Sequence, residues 1–255
     1  MKIITFVAIK GGVGKTTLTY NFGEWLAAND KKVLLIDTDP QSSLSQTYNI
    51  YQPKLSLLDI FTTPKIKPGD VIVHQQNLDI LPSNMLLDGI QVNLETKINK
   101  EFLIYTWLYD NYDYLKQYEY ILFDCHPGFS LITRNTIVTS DLIISPIEPN
   151  SYSFNSKAML DVFFNNFKTS LINPKTHQSY INAKLRFVGN RLTHSEISNN
   201  FVKKMKENDT LGYIYYHDLI NQSTLFSKPV SSMTKSNKQK LPDVFETFNN
   251  IKNEL

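Results

Sequence analysis

The stretch Lys10-Gly11-Gly12-Val13-Gly14-Lys15-Thr16-Thr17 decides the fold of this 255-residue chain. It follows a β-branched, apolar run at residues 3–9 and precedes a segment, 16–28, whose apolar residues recur at helical spacing. A strand, a glycine-rich loop and a helix in this order hold phosphate, because the glycines turn backbone amides inward and the helix adds a positive dipole end. The sequence therefore predicts a nucleotide phosphate site within an α/β fold.

The two lysines of this loop have different expected roles. Lys15 is expected to reach the β- and γ-phosphates, and the Thr16 hydroxyl is expected to bind Mg²⁺. The remaining loop residues are expected to surround the phosphates: Gly11, Gly12, Val13, Gly14 and Thr17. Ile9 stands where the strict GxxxxGK[ST] pattern has its first glycine, so the loop fits the variant KGGxGK[ST]T. In that variant Lys10 supplies a second positive charge beside the transferring phosphoryl group.

The composition is that of an ordinary globular protein, with 42% hydrophobic and 20% charged residues and a net charge of +2. Cys125 is the only cysteine, which excludes an internal disulfide and fits a reducing cytoplasm. No apolar run approaches the roughly 20 residues that a membrane-spanning helix needs. The apolar N-terminal run lacks a cleavage-like site, so it is interpreted as a buried strand and not as a secretion signal.

Apolar strands alternate with helical segments along the rest of the chain. Strands are predicted at 32–36, 78–82, 120–124, 141–147 and 185–188, and helices at 95–115, 153–171, 196–208 and from 241 onward. Residues 165–184 and 227–240 are interpreted as surface loops. The pattern predicts a doubly wound, mainly parallel sheet with helices on both faces, in one domain spanning 1–255. Ligands of such sheets bind beyond the carboxyl ends of the strands.

Three carboxylates fall at those strand ends. Asp37 and Asp39 follow the second strand, and Asp124 ends the strand at 120–124. Each alone would more often be a turn or helix-capping residue. Together with a phosphate loop they predict a site for magnesium and an attacking water, since both need carboxylates near the γ-phosphate.

These motifs together resemble the ParA/MinD group of ATPases, whose deviant Walker A loop carries the extra lysine. The resemblance implies that the chain dimerises around ATP, with Lys10 reaching the partner's phosphates. Asp37-Thr38-Asp39-Pro40-Gln41 is similar to the DxDPQ switch motif of ParA proteins. By that match Asp39 orients the hydrolytic water and Asp37 supports magnesium through water. Asp124 matches the Walker B position.

The resemblance covers essentially the whole chain. It implies that Asn190, which follows a late strand, contacts the base. Arg191 has a base-stacking, helix-capping or dimer-face role. Further similar segments are Leu81-Pro82-Ser83-Asn84, Ser140-Asp141-Leu142-Ile143-Ile144-Ser145-Pro146 and Lys228-Pro229-Val230. The chain is similar to the short ParA type that has no N-terminal helix-turn-helix.

Two residues follow the Walker B position directly, Cys125 and His126, and His126 departs from the family pattern. Where relatives continue with two prolines, this chain has His126-Pro127-Gly128. His126 is therefore either an ordinary loop residue or a group that touches the switch region and makes hydrolysis pH-sensitive. Cys125 is expected to pack as a small apolar residue behind the site.

The resemblance also implies DNA binding without sequence preference, which depends on basic surface residues. Lysines are concentrated late in the chain, and the candidate DNA contacts are Lys203, Lys204, Lys206, Lys235, Lys238 and Lys240. A solvated helix and loop would have the same composition. An arginine that some relatives use on DNA is absent, because Ile214-Tyr215-Tyr216 stands in its place.

The expected function is therefore that of a magnesium-dependent ATPase that a ParB-like centromere-binding protein stimulates. It is expected in the bacterial cytoplasm, on the nucleoid, distributing a plasmid or chromosome. The alternative is a MinD-like or other ParA-related ATPase that positions a membrane or protein cargo. Stable membrane association is not expected, because the last helix is mixed in charge. A single cysteine excludes an iron protein with a shared four-iron cluster. A bacterial tyrosine kinase is disfavoured because no tyrosine follows Tyr216. A sensing adaptor without hydrolysis is disfavoured by the presence of Lys15, Asp39 and Asp124.

Overall fold

The computed structural model describes residues 1–150, 153–205 and 209–255. Eight strands within these ranges form a single sheet. They are β1 (Lys2–Phe6), β2 (Val33–Asp37), β3 (Val73–His74), β4 (Asp79–Leu81), β5 (Tyr120–Asp124), β6 (Leu142–Ile147), β7 (Lys184–Leu192) and β8 (Thr210–Tyr215). The strand order is β3-β4-β2-β5-β1-β6-β7-β8, and every pair is parallel except β3 with β4. The predicted doubly wound parallel architecture is confirmed.

Helices cover both faces of the sheet among the described residues. They are α1 (Lys15–Ala27), α2 (Ser43–Thr47), α3 (Leu57–Thr62), α4 (Pro68–Val71), α5 (Leu87–Glu95), α6 (Leu103–Asp110), α7 (Tyr112–Leu115), α8 (Leu131–Thr139), α9 (Ser153–Ser170), α10 (Glu196–Lys204), α11 (Asp218–Leu225), α12 (Lys235–Lys238) and α13 (Pro242–Asn253). Short 3-10 turns occupy Lys100–Phe102 and Val230–Ser232.

Alternate residues of each strand face opposite helical layers, as the two-residue period of a strand requires. On β7, Val188 packs in one core cluster with α1 and α13, whereas Phe187 packs in another with α9 and α10. The central strands β2 and β5 are buried along their whole length, which explains why they read as continuous apolar runs.

The C-terminal helix α13 packs its apolar face against the core. Val244, Phe248 and Ile251 are buried, and the Phe248 ring lies 5.4 Å from Phe22 and 5.7 Å from Trp25, centroid to centroid. The apolar face of the last helix is therefore part of the core. In the described part of the chain, no helix has both the length and the apolar character needed to cross a membrane.

The helix predicted at roughly 95–115 is confirmed in part, because residues 103–110 and 112–115 are helical but the stretch is interrupted. The stretch is divided among the end of α5, a 3-10 turn, α6 and α7, because Asn99 adopts a left-handed conformation (φ 56°) and α6 ends at Asp110. The predicted strand at 3–9 ends at Phe6, where the backbone leaves the sheet to enter the glycine loop.

The two predicted surface loops are partly ordered secondary structure. Helix α9 extends to Ser170, so that loop begins later than expected, and residues 227–240 contain a 3-10 turn and α12. The predicted helix at 196–208 is described as far as Lys204, and its last three residues lie outside the described ranges. Elements that the sequence did not predict include α8, β8 and α11.

Candidate nucleotide site

The site lies where three adjacent strands end. Strand β5 stands between β1 and β2, and the register pairs Asp124 with Phe6 on one side and with Asp37 on the other. The glycine loop starts four residues after Phe6, and α1 begins at Lys15. The fold therefore brings two buried carboxylates to the base of the phosphate loop.

The phosphate loop and the carboxylates are in direct contact. Thr16 Oγ1 donates a 2.7 Å hydrogen bond to Asp124 Oδ2, and the Thr19 hydroxyl lies 3.4 Å from Asp124 Oδ1. Beside this contact opens a cleft of about 360 Å³. The cleft is lined by the glycine loop, by the switch segment (residues 37–47) and by three residues from later in the chain. The lining residues are Gly11, Gly12, Gly14, Lys15, Thr16, Thr17, Asp39, Gln41, Ser43, Thr47, Pro127, Arg191 and Thr224. The Lys15 residue is only 6% exposed, which places its charge inside the protein.

The buried carboxylates are energetically costly without a cation. Burial, followed by the charge of Asp124, raises the pKa of Asp37 well above the usual range of an aspartate. Burial also raises the pKa of Asp124, although the hydrogen bond from Thr16 and the charge of Lys15 oppose this. A positive charge beside the pair would reverse both shifts, so the site favours a cation.

The donor set fits magnesium bound together with a nucleotide. A threonine hydroxyl and carboxylate oxygens are the hard oxygen ligands that Mg²⁺ prefers, and Mg²⁺ usually takes its other ligands from phosphates and water. No group of three or more His, Cys, Asp or Glu side chains in the described ranges could hold a metal ion by itself. A magnesium ion at this site would take some ligands from Thr16, Asp124 and Asp37 and the rest from phosphate and water.

Asp37 organises the switch segment that follows β2. Its Oδ1 accepts from the Asp39 amide (3.1 Å), and its Oδ2 accepts from the Ser45 amide and hydroxyl (2.8 and 2.7 Å). Ser83 fixes the segment from the other side, because its hydroxyl donates to the Asp39 carbonyl (2.6 Å) and its amide to Ser45 Oγ (3.0 Å). Asp37 thus supports the backbone of the switch segment.

Sequence reasoning missed Ser45 and Ser83. Ser83 lies in the segment Leu81-Pro82-Ser83-Asn84 that carried part of the resemblance, which was an available signal. Ser45 lies inside the short helix α2 and had no distinguishing sequence pattern.

Asn190 and Arg191 hold the glycine loop. Asn190 Nδ2 donates to the Val13 carbonyl (2.8 Å), and Arg191 donates to the Gly12 carbonyl (2.6 Å) while pairing with Glu148 (2.7 Å). Gly14 has φ +90°, and a Cβ there would stand 2.4 Å from Asn190 Nδ2, so only glycine fits this approach. Both predicted base-pocket residues also line a small cavity with Tyr215, Tyr216 and His217 beside Thr17.

Lys10 lies apart from Lys15. It is exposed and lines a separate small cavity with Pro146 and Lys157, on the β6 side of the loop. The two lysines of the loop therefore face different surroundings.

The end of α11 and the segment after it form hydrogen bonds with two helices at the site. These are α1, the phosphate-loop helix, and α2, which follows the switch motif and is called the switch helix here. Asn21 of α1 is 2% exposed. Its side-chain nitrogen Nδ2 donates to the Thr17 carbonyl (2.8 Å) and to Ser223 Oγ (2.7 Å), and its Oδ1 accepts from the Val230 backbone amide (3.0 Å). The Ser227 hydroxyl donates to the carbonyl of Thr47, the last residue of α2 (2.6 Å).

The predicted DNA-contacting lysines that the structure describes lie on elements of two different helical layers. Lys203 and Lys204 end α10, which packs in the core cluster of Phe187, whereas Lys235, Lys238 and Lys240 surround α12, next to the cluster of Val188. Since Phe187 and Val188 face opposite sides of the sheet, the two lysine groups belong to opposite layers. Lys206 lies outside the described residues.

This sheet, glycine loop and pair of carboxylates define a phosphate-loop nucleotide-binding protein. The family model AAA_31, described as an AAA domain, matches residues 1–178. The chain is 33% identical over 167 residues to the sporulation initiation inhibitor protein Soj of Bacillus subtilis, covering 62% of this chain and 63% of Soj. Two Mycobacterium tuberculosis relatives match over 50% of their length. The chain thus spans about half to two thirds of the curated relatives that it matches.

Solved structures extend the similarity to the whole fold. A plasmid partition protein of Borrelia burgdorferi bound to AMPPNP superposes with a TM-score of 0.80 at 23% identity, over 100% of this chain and 99% of that one. An ATP complex of a McdA variant from Cyanothece gives 0.80 at 22% identity, over 99% and 95%. The chain belongs to the AAA_31 family. Its similarity to Soj and to these partition and positioning proteins agrees with the ParA-type resemblance that its motifs carry.

Proposed function

We propose that this chain is a dimerising ATPase that binds DNA without sequence preference when it holds ATP, and that it drives plasmid or chromosome partition. The observation that carries the proposal is the contact of Thr16 with Asp124 at the base of a cleft that also contains Lys15 and Asp39. Kinship with partition ATPases supplies the biological task. A ParB-like partner would stimulate hydrolysis, on the nucleoid of a bacterial cell.

The residues divide the chemistry among them. The amides of Gly11 to Thr17 and the Lys15 ammonium bind the phosphates, and Thr16, Asp37 and Asp124 hold Mg²⁺. When bound there, Mg²⁺ would supply positive charge beside the transferred phosphoryl group. Asp39, at the cleft wall, orients the attacking water. Asn190 shapes the base side of the site through the Val13 carbonyl.

The placement of Lys10 supports a dimer in which each subunit completes the other's site. Lys10 is exposed and lines the β6 side of the loop, whereas Lys15 lines the cleft, so the two lysines can serve different subunits. A cation supplied in trans would stabilise the transition state only after dimer closure, so hydrolysis is slow in the monomer.

The test is binding to a random-sequence DNA duplex with ATP, with ADP and without nucleotide, at two salt concentrations. We expect binding only with ATP, weakened by salt because counterions are released, and lost in Lys10→Ala. Lys175→Ala, an exposed loop lysine, is the matched control. Absence of DNA binding alongside normal ATP-dependent dimerisation would refute the DNA step and favour an ATPase that positions a membrane or protein cargo.

A further inference from the structure

His126 contacts the residue that is proposed to orient the attacking water. Its Nδ1 lies 3.0 Å from Asp39 Oδ1. A carboxylate oxygen can only accept, so Nδ1 carries the proton and donates. The Asp39 side chain is 10% exposed and that of His126 is 36% exposed, which makes this a partly desolvated contact at the cleft edge.

The loop that carries His126 is held in place at both ends. The Cys125 amide donates to the Phe6 carbonyl (3.2 Å), and the Gly128 amide donates to the Ala8 carbonyl (2.9 Å). The loop is thus fixed to the same backbone that leads into the phosphate loop. His126 therefore holds Asp39 at a position that is fixed relative to the phosphate loop.

The contact leaves one oxygen of Asp39 for water. Among the described residues, both donors to this carboxylate act on Oδ1: His126 Nδ1 and the Gln41 amide, at 3.0 and 2.9 Å. A carboxylate held by two donors on one oxygen keeps a defined orientation, and Oδ2 retains its lone pairs for the attacking water.

We propose that His126 is a positioning residue that holds Asp39 in the orientation needed for hydrolysis. This inference rests on the proposed ATPase function. In the structure His126 supplies a donor to Asp39 Oδ1, so turnover is expected to depend on a donor at the Nδ1 position. An asparagine amide nitrogen occupies nearly that position, whereas the glutamine amide lies one bond further out.

The experiment measures Mg-ATP turnover with a random-sequence DNA duplex for the wild type and four variants, namely His126→Ala, His126→Asn, His126→Gln and Asp39→Ala. We expect His126→Ala and His126→Gln to lower kcat on the order of tenfold with unchanged KM, because positioning and not binding is lost. His126→Asn should restore most of the rate. His74→Ala is the control, because His74 is an exposed histidine that forms a hydrogen bond with Asp79 away from the cleft.

Normal or faster turnover in His126→Ala would overturn the inference, as would an Asn variant no better than Gln. The Asn and Gln comparison decides the matter even if the Ala variant unfolds. The proposed water-orienting role is tested separately: Asp39→Ala should bind ATP without hydrolysing it, and normal hydrolysis would refute that role. An inactive Asp39→Ala beside a fully active His126→Ala would remove only the positioning role.

Discussion

Lys15 lines the phosphate cleft while almost wholly shielded from water, so its ammonium group meets a phosphate in a low-dielectric setting. Lys15→Ala removes this charge and leaves the phosphates with the backbone amides alone. We expect ATP affinity to fall by roughly 100-fold or more, as for truncation of one partner of a buried charge pair. Fluorescent-nucleotide titration checks this, with Lys175→Ala as control. Unchanged affinity would contradict the loop assignment.

Cys125 gives a prediction that depends on pH. Burial raises the pKa of its thiol from 9.0 to about 11. The thiolate is the reactive form, so native protein at pH 8 should react with iodoacetamide only as fast as it unfolds. The folded state keeps this proton up to about pH 11 while the unfolded chain releases it near 9.0, so the stability contribution is lost as the pH rises through that window.

Mass spectrometry of alkylation with and without denaturant measures the protection of Cys125. Rapid labelling of the native protein would show that the thiol is accessible. The same result would remove its assignment as a packed apolar residue behind the site.

At the scale of elements, Asn21 joins α1 to the segment that follows α11. Asn21→Ala leaves the buried amide of Val230 without its acceptor and removes two donors. An unsatisfied buried group costs about 1–3 kcal/mol, so we expect Tm to fall by roughly 5–10 °C. Asn29→Ala, which loses one exposed hydrogen bond to the Trp25 carbonyl, should change Tm by about 1–2 °C. Equal Tm values for the two variants in thermal unfolding would contradict the bridging role.

The elements that the sequence predicted are those whose pattern is local. Strands β2 and β5 are buried on both faces, and the glycine loop has its own chemistry. Strand β8 escaped prediction because it is an edge strand with an irregular burial pattern. Helix α8 is rich in β-branched residues, yet it is helical. Tertiary contacts override that propensity: the Asn135 side chain accepts from the Ile104 amide and donates to the Lys100 carbonyl.

The site divides in the same way. Asp37, Asp39 and Asp124 were predictable because the carboxyl ends of neighbouring parallel strands meet at one edge. The contact of Ser83 with Asp39 was not, since it depends on how separate loops approach each other. For His126 the sequence left two alternatives open, and the structure shows the one in which it contacts the switch residue Asp39. The sequence also could not predict that the lysines lie in two helical layers, because the order of the strands in the sheet decides which face each helix covers.

At the scale of the whole molecule, the two lysine groups should contribute unequally to DNA binding. Lys235 and Lys238 lie on the layer of α1, on a segment that follows Ser227 and its contact with the switch helix. The double variant Lys235→Glu, Lys238→Glu should weaken ATP-dependent DNA binding and reduce the salt slope by about 2, near 0.9 per lost phosphate contact. Lys203→Glu with Lys204→Glu should weaken it less. Fluorescence anisotropy at several salt concentrations distinguishes them, and the opposite ranking would place the DNA on the α10 layer.

The hydrogen bonds of Asn21 also determine which segments of the protein unfold locally together. Val230 is 209 positions from Asn21 in the chain, yet its amide proton is shared with the phosphate-loop helix. In hydrogen–deuterium exchange, the turn Val230–Ser232 and α1 should therefore behave as one cooperative unit, with protection above that of exposed loops. A nucleotide that occupies the glycine loop would slow exchange at both places together. An event at the phosphates would then be recorded in amides near the far end of the sequence, without any large displacement of the backbone.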